Sequence, residues 1–368
     1  MKTEIYKFPM NGPEDLSGLR SLVEDGTVIP NEIVAIIAKT EGNGNVNDFT
    51  RGYTTFAIKS MLSNYLDCTH SNVSELVSII CSGGCEGVMS PHATVFTKKN
   101  VSENKVSDDK RFTIGVSKTR ELLPEEIGTC IHAKLVCQNV KEAMALALIE
   151  DIQDVHYVQI KCPLLTSDRI NDAERRGKQV VTKDTLKSMA FSRGASSLGV
   201  AMALNEVDED KIVDSTICND WSHFSSVASA SAGIELMNNE IIVMGNSKKS
   251  ISNCIIGHSV MNDPIDSMAV RNALQSVGIN ANPKVDIDDQ KRLINVFAKA
   301  EAHTSGLVKN RRTTMLTDSD INSTRYARAV VNAVIASIVD DPMVYVSGGS
   351  EHQGPLGGGP VSVIAYIA

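Results

Sequence analysis

Basic side chains are in deficit along this chain. Lysine and arginine number 36 against 44 aspartates and glutamates, a formal net charge of −8. Nucleic-acid binding relies on cations that displace counterions from phosphates, so this balance speaks against it. Aromatics are scarce, at 4% with a single Trp, which leaves little for base stacking. No apolar run approaches the ~20 residues that a membrane helix needs. The opening MKTEIYKFPMNGPEDL has no signal-peptide core, so a cytoplasmic protein without membrane attachment is expected. The eight cysteines are scattered, with no C-x-x-C pair, and read as free thiols in a reducing compartment. There is no H-E-x-x-H for zinc and no G-x-S-x-G elbow. The stretch GNGNVND, 42–48, lacks both the G-K-[ST] ending of a phosphate loop and the third glycine of a dinucleotide fingerprint. No organic cofactor is expected, and a small molecule is the expected partner.

A chain of 368 residues is too long for one ordinary core. The polar run TKKNVSENKVSDDKR, 97–111, reads as a solvated connector, and a weaker break falls near GNSKKSISN, 245–253. Three repeats result, at 1–103, 112–250 and 251–368, with 104–111 as the connector. Strand-length apolar runs alternate with helix-period stretches in the same order in each. EIVAIIAK, HYVQIK and LINVFAK occupy one matching position; RGYTTFAIKSMLSNYL, RGASSLGVAMAL and RYARAVVNAVIASIV occupy the next. The pattern predicts an α/β fold of three βαβαββ-type repeats.

Polar residues recur in register with these elements. S-[GA]-G-x-E occurs at Ser82–Glu86, Ser231–Glu235 and Ser347–Glu351. A strand ends in lysine at Lys39, Lys161 and Lys299. The helix that follows is expected to open with Thr50-Arg51, Ser192-Arg193 and Thr324-Arg325, its hydroxyl serving as N-cap. Taken singly, a lysine at a strand end is a solvated terminus and Ser-Gly-Gly a plain turn. Duplication explains a recurring fold but not nine retained polar positions. If the copies pack around a pseudo-threefold axis, these side chains can converge on one central pocket, suited to a flat, oxygen-rich ligand of near-threefold shape.

A serine hydroxyl needs a base, and no histidine recurs with these serines. Lysine is the available base, and it must be neutral to act, well below its free pKa of ~10.4. Lys39 and Lys299 are followed two places on by Glu41 and Glu301, which in a strand share their face and favour the ammonium. Lys161 is followed by Cys162-Pro163. Lys161 is therefore the expected base and Ser231 the expected nucleophile, with the dyads at Lys39 and Lys299 as binding elements.

The stretches KTEGNGNVNDFTRG, SGGCEGVMSPH, SRGASSLGVA, SVASASAGIEL and SGGSEHQGPLGGGP resemble the cyanuric acid hydrolase/barbiturase family over essentially the whole chain. The resemblance implies hydrolytic opening of cyanuric acid to carboxybiuret, then biuret and CO2, by the Ser–Lys dyad of the middle repeat. It implies substrate contacts at Arg51, Ser82, Gly83, Arg193, Ser231, Ala232, Arg325, Ser347 and Gly348. It further implies a structural Mg or Ca held by Glu301 and the carbonyls of Ser350, Gln353, Gly354, Pro355 and Gly358, and a tetramer. Barbituric acid as substrate, or a non-catalytic protein that binds a cyclic imide, are the alternatives the residues leave open.

Overall fold

Strand periodicity organises the molecule, seen here in a computed structural model that describes residues 1–100 and 109–368. In the first repeat the order is β1 (Lys2–Pro9), α1 (Ser17–Glu24), β2 (Ile33–Thr40), α2 (Phe49–Leu66), α3 (His70–Leu76), β3 (Ser78–Gly83) and β4 (His92–Lys99). The second has β5 (Arg111–Lys118), α4 (Cys130–Leu146), β6 (Val155–Pro163), α5 (Ser167–Arg175), α6 (Thr185–Ala203), β7 (Ala228–Gly233) and β8 (Glu240–Ser247). The third has β9 (Cys254–Met261), α7 (Ser267–Ser276), α8 (Ile287–Arg292), β10 (Leu293–Ala300), a small hairpin of β11 (Leu307–Val308) and β12 (Arg311–Arg312), α9 (Ser323–Val339), β13 (Tyr345–Gly348) and β14 (Gly359–Tyr366). Residues 104–108 of the expected connector lie outside the described residues, and Arg111 already begins β5.

Each repeat forms a four-stranded sheet with one topology: β1-β4-β2-β3, β5-β8-β6-β7 and β9-β14-β10-β13. The two last strands named in each order pair in parallel; the others are antiparallel. The fold is thus α/β, with three repeats concatenated around a pseudo-threefold axis. Alternation gives each strand two apolar faces. On β2, Ile36 and Ala38 pack against the helices of their own repeat. Ala35 and Ile37 join a central core with Phe96, Phe112, Tyr157 and Phe297, drawn from all three sheets. Burying one such large side chain fully contributes about 1.5–3 kcal/mol, so this shared core binds the repeats to one another.

Helix starts differ from expectation. The caps are Asp48, Asp184 and Asn322, whose side chains accept from Thr50 N at 3.1 Å, Lys187 N at 3.0 Å and Thr324 N at 3.0 Å. Thr50 and Thr324 lie inside the first turn rather than at the cap, and Ser192 lies well inside α6. An acceptor that precedes the first free N–H groups reaches them better than a hydroxyl already within the helix. Among the described residues, no helix is long and apolar enough to cross a membrane.

Candidate active site

The alternation that builds the central core also aims the lysines. Lys39 follows Ala35 and Ile37 on the inner face of β2. By the same count Lys161 follows Tyr157 on β6, and Lys299 follows Phe297 on β10. Parallel pairing sets each beside a serine: Lys39 with Ser82, Lys161 with Ser231 and Lys299 with Ser347 occupy matched register. All six residues are buried.

Each lysine also reaches into a neighbouring repeat. Lys161 Nζ donates to Cys81 O at 3.0 Å and Lys299 Nζ to Ala230 O at 2.8 Å. Lys39 Nζ lies 5.7 Å from the centre of the Tyr345 ring. The contacts run in one rotational sense, second repeat to first, third to second, first to third. They bring the three dyads together in a ring.

The ring is not symmetrical. Lys39 Nζ donates to Ser82 Oγ at 3.2 Å and Lys299 Nζ to Ser347 Oγ at 3.1 Å. Those two serine oxygens lie 3.4 Å apart. Ser231 Oγ is buried and has no hydrogen-bond partner among the described residues. Lys161 instead pairs with Glu235 Oε1 at 2.8 Å. The expectation that Lys161 lacks a carboxylate, while Lys39 and Lys299 have one each, is therefore overturned. β2 and β10 end at Thr40 and Ala300, so the i, i+2 rule does not extend to Glu41 or Glu301. Glu41 is exposed, and Glu301 accepts from Ala302 N and Thr324 Oγ1. The carboxylate at Lys161 comes from the turn after the neighbouring strand.

Protonation follows this geometry. Burial, then the Arg328 charge, pushes Lys39 down to about 7. Burial, then Arg193, holds Lys299 well below the ordinary lysine range. Burial opposes the ionisation of Glu235, but the charges of Lys161 and Arg51 prevail and hold it down at about 2.

The glutamate of each S-[GA]-G-x-E motif engages cations. Glu86 accepts from Arg325 Nε at 2.9 Å and Arg328 Nε at 2.7 Å, both of the third repeat. Glu351 accepts from Arg193 of the second repeat at 2.6 and 2.7 Å. Sequence reasoning recorded these glutamates and gave them no role; their recurrence in register was the signal. It missed Arg328 altogether, although a position three after Arg325 shares its helix face. Arg51 donates to Asn45 O at 2.8 Å and Ala232 O at 3.5 Å, with its Nε buried and unpartnered. A depression of about 160 Å³ collects Asn45, Arg193, Arg325, Arg328 and Gly348 from the three repeats. The carbonyls of Gly83 and Gly348 accept from Lys39 and Lys299 at 3.3 and 3.0 Å. A Cβ at position 83 would stand 1.7 Å from Asp48 Oδ2, so the glycine leaves room for that side chain.

The expected cation ligands gather at the end of β10 and the last turn. Burial, then the Glu351 charge, raises Glu301, and a cation relieves that environment. Ser350 O accepts from Gln353 N, Pro355 O from Gly358 N, and Gly358 O from Ser350 Oγ. Each carbonyl keeps a second lone pair. The residues therefore fit a hard cation such as Mg or Ca in donor chemistry. Among the described residues no group of three or more His, Cys, Asp or Glu is arranged to hold a metal, so carbonyls would supply most of the ligands. His352 is occupied elsewhere: Nε2 accepts from Cys218 N at 2.8 Å and Nδ1 donates to His223 O at 2.6 Å.

A family model described as amidohydrolase ring-opening protein matches residues 4–366. A cyanuric acid amidohydrolase of Enterobacter cloacae is 55% identical over 370 residues, covering 100% of both chains. One from Pseudomonas sp. (strain ADP) is 49% identical and covers 98% of each. A solved cyanuric acid hydrolase superposes with a TM-score of 0.94 at 49% identity, covering 99% of each chain. Another, from A. caulinodans, gives 0.91 at 43% identity, covering 100% of this chain and 99% of the other.

Proposed function

The chain belongs to the amidohydrolase ring-opening family, and on that premise we propose that it hydrolyses one ring amide of cyanuric acid, with Ser231 as nucleophile and Lys161 as general base. The supporting observation is the free hydroxyl. Ser82 and Ser347 are each tied to a lysine, whereas Ser231 Oγ is buried, unpartnered and beside Lys161 in register. Names of the similar enzymes favour cyanuric over barbituric acid.

Ser231 Oγ attacks a ring carbonyl as Lys161 Nζ takes its proton. Lys161 must first be neutral. Glu235, 2.8 Å from Lys161 Nζ, is the group in contact that can relay this proton onward, although Arg51 also favours its charged form. Lys161 then protonates the leaving ring nitrogen, and water cleaves the Ser231-bound carbonyl. Positioned proton transfer of this kind contributes about 10²–10⁴ in rate. Arg51, Arg193 and Arg325, the hydroxyls of Ser82 and Ser347, and the backbone at Gly83, Ala232 and Gly348 hold the other carbonyl oxygens and the oxyanion. The product is 1-carboxybiuret, which loses CO2 to give biuret. A Mg or Ca at Glu301 and the last turn would be structural, bracing the motif that carries Ser347 and Glu351. An assembly of four chains belongs to the same proposal and is measured by light scattering.

The test is incubation with cyanurate and with barbiturate, following loss of ring absorbance. Loss of cyanurate is expected. Turnover of barbiturate alone, or tight binding without loss of either compound, would overturn the assignment. A second reading of the dyad has one observation in its favour. Lys39, pushed to about 7 mainly by burial, lies 3.2 Å from Ser82 Oγ and is suited to base catalysis at neutral pH. It requires Ser82→Ala, rather than Ser231→Ala, to be the inactive variant.

A further inference from the structure

A cavity of about 300 Å³ opens between α2 and α3 of the first repeat and the β7–β8 turn of the second. Lys161 and Glu235 line it, together with Thr55, His70, Ser74 and Glu240. It shares no lining residue with the depression at Arg193 and Arg325. Lys161 thus lines this cavity and not the arginine-lined depression. The Glu235 side chain is 26% exposed and that of Lys161 only 3%, so the ion pair has a wet end and a dry end. Lys39 and Lys299 are wholly buried.

The proposed reaction needs such a route. Adding water across a ring C–N bond breaks that bond, places a hydrogen on the ring nitrogen and leaves a carbamic acid. That acid ionises at neutral pH. The balance is cyclic amide plus water going to open-chain carbamate plus one proton, with Ser231 and Lys161 restored and nothing oxidised or reduced. One proton must leave per turnover, while the substrate and then the product occupy the arginine-lined side. From the geometry we infer that Glu235 and this cavity form a proton port, in which the proton passes from Lys161 Nζ to Glu235 and on to water between α2 and α3. Hydroxyl, imidazole and carboxylate groups in the lining give such water the polar partners it requires. The inference rests on the cyclic-amide hydrolase reading.

The experiment uses the full-length enzyme with cyanurate, varying formate or imidazole at fixed pH and ionic strength. Glu235→Gln is expected to lower kcat roughly 10–100-fold, the scale of a lost proton-transfer group, with little change in KM. Its kcat should then climb with formate or imidazole, while the parent enzyme shows no such dependence. Gly52→Leu supplies a plug: position 52 lines the cavity, and an added Cβ there meets no atom within 4 Å. It should lower kcat without lowering the melting temperature, and should abolish the rescue when combined with Glu235→Gln. Glu235→Gln that no small acid or base rescues, or Gly52→Leu that leaves both kcat and rescue intact, would overturn the port. Ser231→Ala run alongside separates the two levels. If it is inactive while rescue fails, the port alone falls; if it is active, the dyad assignment and the port fall together.

Discussion

Consider Ser231→Ala in more detail. The substitution removes a buried hydroxyl that makes no hydrogen bond in the free protein. Leaving such a group unsatisfied costs about 1–3 kcal/mol, so its removal should leave stability unchanged or raise it by about 1 kcal/mol. Ser82→Ala and Ser347→Ala differ. Each deletes one acceptor of a buried lysine, at 3.2 and 3.1 Å, and the contact between the two serines at 3.4 Å, leaving Lys39 with Gly83 O and Lys299 with Ala230 O and Gly348 O. Each should destabilise by roughly 1–3 kcal/mol. Activity should order the other way. Ser231→Ala should lose about 10⁴-fold or more in kcat, the scale seen when a nucleophile is deleted. Ser82→Ala and Ser347→Ala should mainly raise KM, by about tenfold for a lost hydrogen bond of about 1.4 kcal/mol. Denaturant midpoints give the stabilities and ring absorbance gives the rates. Ser231→Ala retaining a tenth of parental turnover, or Ser82→Ala proving the inactive protein, would refute the assignment.

Three further outcomes follow from the geometry. Gly83→Ala should cost about 1–3 kcal/mol and weaken substrate binding through Arg51, because the new Cβ displaces Asp48, the cap of α2; Ala232→Gly, at the matching position, should change the denaturant midpoint little, and equal effects would refute the steric argument. His92, His132 and His156 are each pushed down to about 4, chiefly by burial, and so fold neutral. Unfolded, they take up protons near pH ~6.5, so stability is complete above that value and is lost as pH falls toward 4, at up to about 4 kcal/mol per pH unit for three protons; a denaturant midpoint that stays flat between pH 7 and 5 would contradict this. If the last turn holds a cation, a chelator should lower the melting temperature of the parent protein but not that of Glu301→Gln, whereas equal shifts in both would remove Glu301 from the ligand set.

Much of the site was legible in the sequence because it depends on local rules. Alternation along a strand decides that Lys39 shares a face with Ile37, and three copies in register made the lysines, arginines and serines visible as a set. Motif resemblance across the chain pointed to the family that the comparisons identify. The pairing of charges was not legible. Which carboxylate meets which lysine depends on where strands stop: β6 runs two residues past Lys161, whereas β2 and β10 stop one residue after Lys39 and Lys299. It depends also on how the repeats turn about their axis, which sends Glu86 to Arg325 and Arg328 and Glu351 to Arg193. The start of α6 at Thr185, well before Arg193, had a local signal that sequence reasoning passed over: Asp184 caps the helix through Lys187 N. By itself the sequence determined the fold class, the family and the Lys, Arg and Ser positions that recur in each repeat. Only the tertiary structure decided that Ser231 stands free and that Lys161 is the lysine with a carboxylate, because those facts are contacts between elements far apart in the chain.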